Sequence, residues 1–224
     1  MKVLSSIGLK SVMLEIAPLW ERKSGAPLAI TWGSTVNLTK EIRNGVAADV
    51  AILTAEVIDE LTGSGEAVAG TRVDLARSGV GIAVRKGAAK PDIRTPEALK
   101  RALLAARSIA HSKTGMSGLY FPTVLERLGI RDAVQGKIII PEGGFIGELV
   151  AKGDAELGVQ QISELLPVEG VEIVGPLPDP LQKITVFSAG VLAAATARQA
   201  ARELVDFIAA ASRPLLASKG LEPP

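Results

Sequence analysis

Three times along this chain, a short run of strand-forming residues ends in small or hydroxyl residues and passes directly into a helical pattern. The first junction spans residues 5–8, the second spans residues 33–35, and the third is the loop from His111 to Ser117. Strands that alternate with helices lie parallel, because each helix carries the chain back to the start of the next strand. The junctions therefore predict an α/β fold whose strand ends present hydroxyl and backbone N–H groups.

The hydrophobic pattern predicts strands throughout the chain, with helices between them. The predicted strands are Lys2–Ser6, Leu28–Trp32, Asp49–Thr54, Val80–Lys86, Ser108–Ser112, Lys137–Ile140, Leu157–Gln161 and Ile184–Val191. Because Pro122 lacks an N–H, we expect it in a first helical turn, so that its helix begins near Phe121 rather than Ser117.

Two α/β units of similar size predict two lobes. The chain leaves the first unit near residue 79 and returns near residue 187, so we expect lobe I to comprise residues 1–79 and 188–224. Lobe II then comprises residues 80–187. Glycine-flanked strands near Val80 and Val186 are the expected hinges, and a ligand is expected in the cleft between the lobes, at the carboxyl ends of the strands.

Composition excludes several classes of function. A net charge of +1 gives no reason to expect a nucleic acid or an acidic membrane surface as partner. The chain has no cysteine and one histidine, so we expect no disulfide, no thiol chemistry and no metal site. No apolar run reaches the roughly 18 residues of a membrane span, so we expect no membrane insertion.

The amino terminus gives two expectations about the compartment. Strand-forming residues begin at Lys2, which leaves no room for a secretory signal peptide before them. We expect a cytoplasmic protein if Met1 is the natural start, and a periplasmic protein if a signal peptide has been removed.

Several segments, in this order, resemble the molybdate-binding proteins of ABC transporters, which are type II periplasmic solute-binding proteins. They are Lys2–Ser6, Ile16–Glu21, Gly33–Thr35, Ala48–Ile52, Gly115–Tyr120, Leu149–Val159 and Lys219–Pro223. The chain is most similar to a branch of this family that lacks a signal peptide. The resemblance implies the type II periplasmic-binding-protein fold, with two parallel-sheet lobes joined by two crossover segments. It also implies a small anionic ligand, no cofactor, and a transporter permease as a possible partner.

The same resemblance implies which positions hold the ligand. Molybdate binders use a serine in each of the first two loops, backbone amides, and a tyrosine in the later lobe. Here the first serine position falls on Gly8, the second on or beside Thr35, and the tyrosine position at or next to Gln161. These differences favour a larger organic anion over molybdate.

We therefore expect hydroxyl, amide and basic side chains to hold the ligand. They are Ser5, Ser6, Ser34, Thr35, Ser117, Gln160, Gln161, His111 and Lys113. Among these, Gln160, His111 and Lys113 are expected to set selectivity. Purely structural roles remain open for each: a hydrogen-bonded histidine, a solvated loop lysine, ordinary strand-to-helix turns.

A second interpretation is enzymatic, because aconitate isomerase resembles the same family and has the same fold. Such a reaction removes a proton next to an activated carboxylate and returns it one carbon away. It needs a base close to the carbon acid and donors for the carboxylates. His111 and Glu142 are the candidate bases, and the binding protein remains the main interpretation.

Overall fold

A computed structural model describes all of residues 1–224. The strands are β1 Lys2–Ser6, β2 Ala29–Gly33, β3 Val50–Thr54, β4 Val73–Arg85, β5 Ile109–His111, β6 Ile138–Ile139, β7 Leu157–Gln161, β8 Val171–Pro176 and β9 Ile184–Val191. The α-helices are α1 Lys10–Ser24, α2 Thr35–Arg43, α3 Ala55–Gly63, α4 Pro96–Ala105, α5 Met116–Arg127, α6 Arg131–Val134, α7 Ile146–Lys152, α8 Ile162–Leu165 and α9 Arg198–Ser212. The predicted α/β class is confirmed. No helix is both long enough and apolar enough to cross a membrane.

The chain divides into two compact units. Unit 1 comprises Met1–Ser78 and Thr185–Pro224, and unit 2 comprises Gly79–Ile184. Strands β4 and β9 carry the chain across the two divisions. These divisions lie one residue and three residues from those expected from the sequence.

Unit 1 is a sheet with helices on both faces. Strand β1 lies between β2 and β3 and is parallel to both. Side chains alternate along the strands, so Val3 packs with α1 and α9 while Leu4 packs with α2 and α3. Strand β9 pairs with β3 in antiparallel orientation. It departs from the predicted parallel arrangement because it enters unit 1 from unit 2 rather than through a crossover helix.

Unit 2 has the same layered construction. Strand β5 is parallel to β6 and β7, whereas β4 is antiparallel to β7 and β8. Val159 packs with Phe121 of α5 on one face of the sheet. On the other face, a Cβ on Gly158 would lie 2.7 Å from Cγ2 of Val150 in α7. The alternation along β7 therefore directs one set of side chains toward α5 and the other toward α7.

Two predictions about element boundaries were wrong. Helix α5 begins at Met116, and Pro122 lies inside it. Burial of Phe121 and Val124 against the sheet offsets the one hydrogen bond that Pro122 cannot donate. Strand β4 begins at Val73 rather than Val80, because its first half packs Leu75 into the core of unit 1.

Candidate functional site

In unit 1 the predicted ligand-binding residues lie at one edge of the sheet. Ser5 and Ser6 end β1, and the register places Ser6 beside Gly33, the last residue of β2. Ser34 and Thr35 follow Gly33 directly. The carboxyl ends of neighbouring parallel strands thus bring these four residues together.

Most of these hydroxyls have local partners. Ser34 is the N-cap of α2, and its Oγ accepts a hydrogen bond from Asn37 N at 3.2 Å. Ser6 Oγ accepts from Gly8 N at 3.3 Å, and Ser5 Oγ donates to the Ser6 carbonyl at 3.2 Å. Each cap hydroxyl keeps its own hydrogen available as a donor.

Two threonines at this edge lack such partners. Thr35 Oγ1 is buried and makes no hydrogen bond, and the same holds for Thr54 Oγ1 at the end of β3. Thr54 was not predicted as a site residue, although its place at the end of a strand, directly before a helix, repeats the pattern that marked the other two loops.

Gly8 lies against an aromatic ring. A Cβ at this position would stand 2.4 Å from Phe187 Cζ, closer than nonbonded atoms approach. The position can therefore hold no serine while Phe187 occupies this space, and the first loop loses the hydroxyl donor that the resemblance implied for it.

In unit 2 the loop after β5 is folded tightly onto the first turn of α5. A Cβ on Gly118 would stand 1.9 Å from the Ser112 carbonyl oxygen. The hydroxyl oxygens of Ser112 and Ser117 are both buried without a hydrogen-bond partner. Ser117 was predicted as a ligand-binding residue. Ser112 was not, because nothing in the sequence shows that its side chain turns inward.

His111 is buried and neutral. Its Nδ1 lies 3.1 Å from the Ser112 carbonyl oxygen, which can only accept, so Nδ1 carries the hydrogen. Burial lowers the pKa of His111, and the bond to the carbonyl opposes this effect. The ring also packs against that of Phe121 at an interplanar angle of 58°, with centroids 5.4 Å apart. Nε2 is therefore a proton acceptor, not a donor for an anion.

Lys113 and Glu142 form an ion pair at the surface. Lys113 Nζ lies 3.1 Å from both carboxylate oxygens, and the two side chains are 55% and 89% exposed. An exposed pair of this kind contributes less than about 1 kcal/mol to stability. The structure therefore brings these two predicted residues together, but outside the buried groups.

The two glutamines of β7 point in opposite directions. Gln160 faces α7, where its Oε1 accepts a hydrogen bond from Ile146 N at 3.0 Å. Gln161 faces α5, on the same side of the sheet as His111, because alternate residues of a strand share a face. Gln160 and Gln161 thus belong to different environments, which the sequence did not distinguish.

Ser163 and Glu164 were not predicted as site residues; they lie in the short helix α8, which follows β7. Ser163 Oγ and Glu164 Oε2 are buried and have no hydrogen-bond partner. Burial raises the pKa of Glu164 to about 7, and the nearby Gln160 side chain opposes the shift. Glutamate side chains are usually exposed, so nothing in the sequence indicated a buried carboxyl group here.

Unpaired buried polar atoms are concentrated where strands end. Of the nine such side-chain atoms in the structure, seven lie at the carboxyl ends of strands or in the loops and helix starts that follow: those of Thr35, Thr54, Ser112, Ser117, Gln160, Ser163 and Glu164. Buried polar groups are nearly always paired in folded proteins, so these atoms are available to bind water or a ligand. No group of three or more His, Cys, Asp or Glu residues could hold a metal ion.

A cavity of about 650 Å³ lies elsewhere in unit 2. It is lined by Arg107 and Glu156 near the amino ends of β5 and β7, opposite to the strand ends described above. These two side chains pair with each other at 3.0 Å. The cavity is therefore separate from the unpaired groups.

Two relatives are similar over most of the chain. It is 37% identical to an aconitate isomerase from Pseudomonas sp over 213 residues, which cover 92% of this chain and 81% of that protein. It is 30% identical to the molybdate-binding protein ModA from Azotobacter vinelandii over 208 residues, which cover 88% of this chain and 79% of that protein.

The fold has a solved counterpart. The periplasmic molybdate-binding protein from Azotobacter vinelandii matches with a TM-score of 0.81 at 20% identity, covering 100% of this chain and 99% of that chain. This match confirms the predicted periplasmic-binding-protein fold. A family model described as bacterial extracellular solute-binding protein matches residues 1–222. The chain therefore belongs to the family of bacterial extracellular solute-binding proteins.

Proposed function

We propose that this protein binds a small organic carboxylate through hydroxyl and amide donors at its strand ends. The observation that carries the proposal is the set of buried hydroxyls without partners, which includes Thr35 in unit 1 and Ser117 in unit 2. Anions are held in proteins by such donors together with backbone N–H groups near helix starts. Both residues lie in the first turn of a helix, α2 and α5 respectively.

Two observations favour an organic acid over a tetrahedral oxyanion. The ring of Phe187 excludes a serine at Gly8, so a donor expected around molybdate is missing. The relative with 37% identity is named for aconitate, a tricarboxylate, whereas the relative with 30% identity is named for molybdate. We infer that the ligand carries more than one carboxylate.

A thermal-shift panel tests the ligand class. It contains molybdate, tungstate, sulfate, phosphate, malate, citrate, cis-aconitate and trans-aconitate. A ligand at about 100 times its Kd stabilises the folded protein by roughly 2.7 kcal/mol, which is on the order of 5–10 °C in Tm for a chain of this size. We expect shifts of this size with carboxylates. Shifts with molybdate and tungstate alone would reverse the assignment.

Replacing Thr35 with valine tests the site in unit 1. The change keeps the shape of the side chain and removes a hydroxyl that has no partner. The Tm of T35V without ligand is therefore expected to equal that of the native protein. Carboxylate affinity is expected to fall roughly 10-fold, the effect of about one lost hydrogen bond to a charged group. Thr39→Val is the matched control, because Thr39 donates to the Thr35 carbonyl at 2.7 Å within α2. Equal affinity in T35V and the native protein removes Thr35 from the site.

A second candidate function is isomerisation of an unsaturated carboxylate. The 37% identity to an aconitate isomerase favours it, and so does the neutral His111, whose Nε2 can accept a proton. In this reaction a base takes a proton from the methylene carbon, the double bond shifts by one position, and a proton returns to the far carbon of the allylic system. Proton NMR of the cis-aconitate sample from the panel separates the two functions, because only an isomerase produces the trans form.

The partner and the compartment that we propose depend on whether the protein binds the carboxylate or isomerises it. A binding protein of this family that works in transport meets a membrane permease, and we propose an ABC-transporter permease and a periplasmic location for that case. An isomerase needs neither. Stable association with detergent-purified permease would support transport.

A further inference from the structure

The end of β7 carries a cluster of three polar side chains, defined by Gln160, Ser163 and Glu164. Gln160 is fully buried, and Ser163 and Glu164 are 2% and 5% exposed. One polar atom in each has no hydrogen-bond partner: Gln160 Nε2, Ser163 Oγ and Glu164 Oε2. The cluster lies next to Gln161, which the sequence predicts to be a ligand-binding residue.

The orientation of Gln160 is fixed by its neighbour. Its Oε1 accepts from Ile146 N at 3.0 Å, so the remaining amide group, Nε2, is a donor. The Gln160 amide also lies near Glu164 and favours its ionised form, although Nε2 has no hydrogen-bond partner. Two of the three unpaired groups, Gln160 Nε2 and Ser163 Oγ, can therefore donate at any pH. Glu164 becomes a donor only when it is protonated.

No cation compensates a charge on Glu164. Helix α8 packs against β7, β8 and α7. Strand β7 has no ionisable side chain, Glu148 and Lys152 of α7 are exposed, and Glu172 of β8 pairs with Lys90 at 3.1 Å. Burial and Gln160 are the influences on Glu164, and no charged residue is among them. An ionised Glu164 is thus a buried, unpaired negative charge, which would repel an anion bound nearby.

We propose that anion binding at the end of β7 is coupled to protonation of Glu164, so that the ligand binds to the neutral form and binding takes up one proton. The neutral carboxyl adds a third donor to the cluster and removes the repulsion. This inference rests on the proposed function, because it concerns the same anionic ligand.

The test is the Kd of trans-aconitate between pH 7 and pH 9, a range in which ordinary carboxyl groups are fully ionised and lysines stay charged. With a pKa of about 7 in the free protein, one coupled proton weakens binding by up to about 50-fold across this range. In Glu164→Gln the side chain is neutral at every pH, so its Kd is expected to stay constant. Glu169→Gln, which changes an exposed carboxylate on the segment after α8, is expected to keep the native slope.

A second measurement uses the native protein alone. Calorimetric titration in two buffers of different ionisation enthalpy reports the protons taken up on binding, and we expect about one at pH 8. Binding without proton uptake, or an unchanged slope in E164Q, overturns this inference and leaves the proposed function intact. Absence of binding to any carboxylate at any pH overturns both.

Discussion

Replacing Gly118 with alanine is expected to lower the free energy of unfolding by about 3 kcal/mol and to abolish carboxylate binding. The new Cβ would stand 1.9 Å from the Ser112 carbonyl oxygen and 2.7 Å from its carbonyl carbon. These are backbone atoms, which cannot rotate out of the way as a side chain does. The loop after β5 or the first turn of α5 must therefore move, and Ser112 and Ser117 move with it.

Gly136→Ala is the matched control in unit 2. A Cβ on Gly136 meets no atom within 4 Å, so the same chemical change is expected to alter stability by less than about 0.5 kcal/mol. Urea unfolding and a trans-aconitate titration of both variants provide the measurements. A native unfolding midpoint in G118A would show that the loop is not held against α5, and would weaken the assignment of Ser117.

The strand and helix order could be predicted from the sequence because it depends on local patterns. Alternating β runs and amphipathic segments fix the α/β class, and hydroxyl residues at strand ends mark Ser34 and Thr35. The start of α5 could not be predicted in the same way. Pro122 favours a later start because it lacks an N–H. The helix nevertheless begins at Met116, because burial of Phe121, a tertiary interaction, stabilises the earlier turn.

The roles of side chains in unit 2 depended on information that a sequence does not contain. Gln160 and Gln161 are adjacent and chemically identical, yet one binds Ile146 N and the other faces α5. Their difference follows from which face of β7 each helix covers. The inward turn of Ser112 and the burial of Glu164 have the same origin, since both depend on how a loop or short helix packs on the sheet.

Binding and isomerisation share most of the proposed machinery. Both need donors for carboxylates at the strand ends, and they differ only in whether a base reaches a carbon acid. His111 has the right tautomer for a base, but the residue is only 5% exposed and its ring packs against Phe121. Glu142 is accessible, since its side chain is 89% exposed, but its carboxylate is already paired with Lys113. Neither predicted base combines access with an unpaired acceptor, which favours binding as the primary function.

Glu164→Gln is expected to stabilise the protein by about 3 kcal/mol more at pH 8 than at pH 4. In the folded protein the pKa of Glu164 is raised to about 7, against an ordinary value of 4.5. Between these values the folded state holds a proton that the unfolded state has released, so stability falls as pH rises through this window. At about 1.36 kcal/mol per pKa unit, the loss is complete above pH 7 and is about 3 kcal/mol. Glutamine does not ionise, so E164Q does not lose this stability as the pH rises.

Urea unfolding of both proteins at several pH values measures this difference directly. Glu156 and Glu172 have lowered pKa values, caused first by the Arg107 backbone N–H and by the Lys90 side chain, respectively. Their contributions to stability are lost as pH falls, but they are common to both proteins and cancel in the comparison. Glu169→Gln supplies the same substitution at an exposed position, where the difference is expected to be independent of pH. A difference between native protein and E164Q that does not change with pH would mean that the pKa of the buried carboxyl is not raised in the folded protein, and the proton coupling proposed for the ligand site would lose its physical basis.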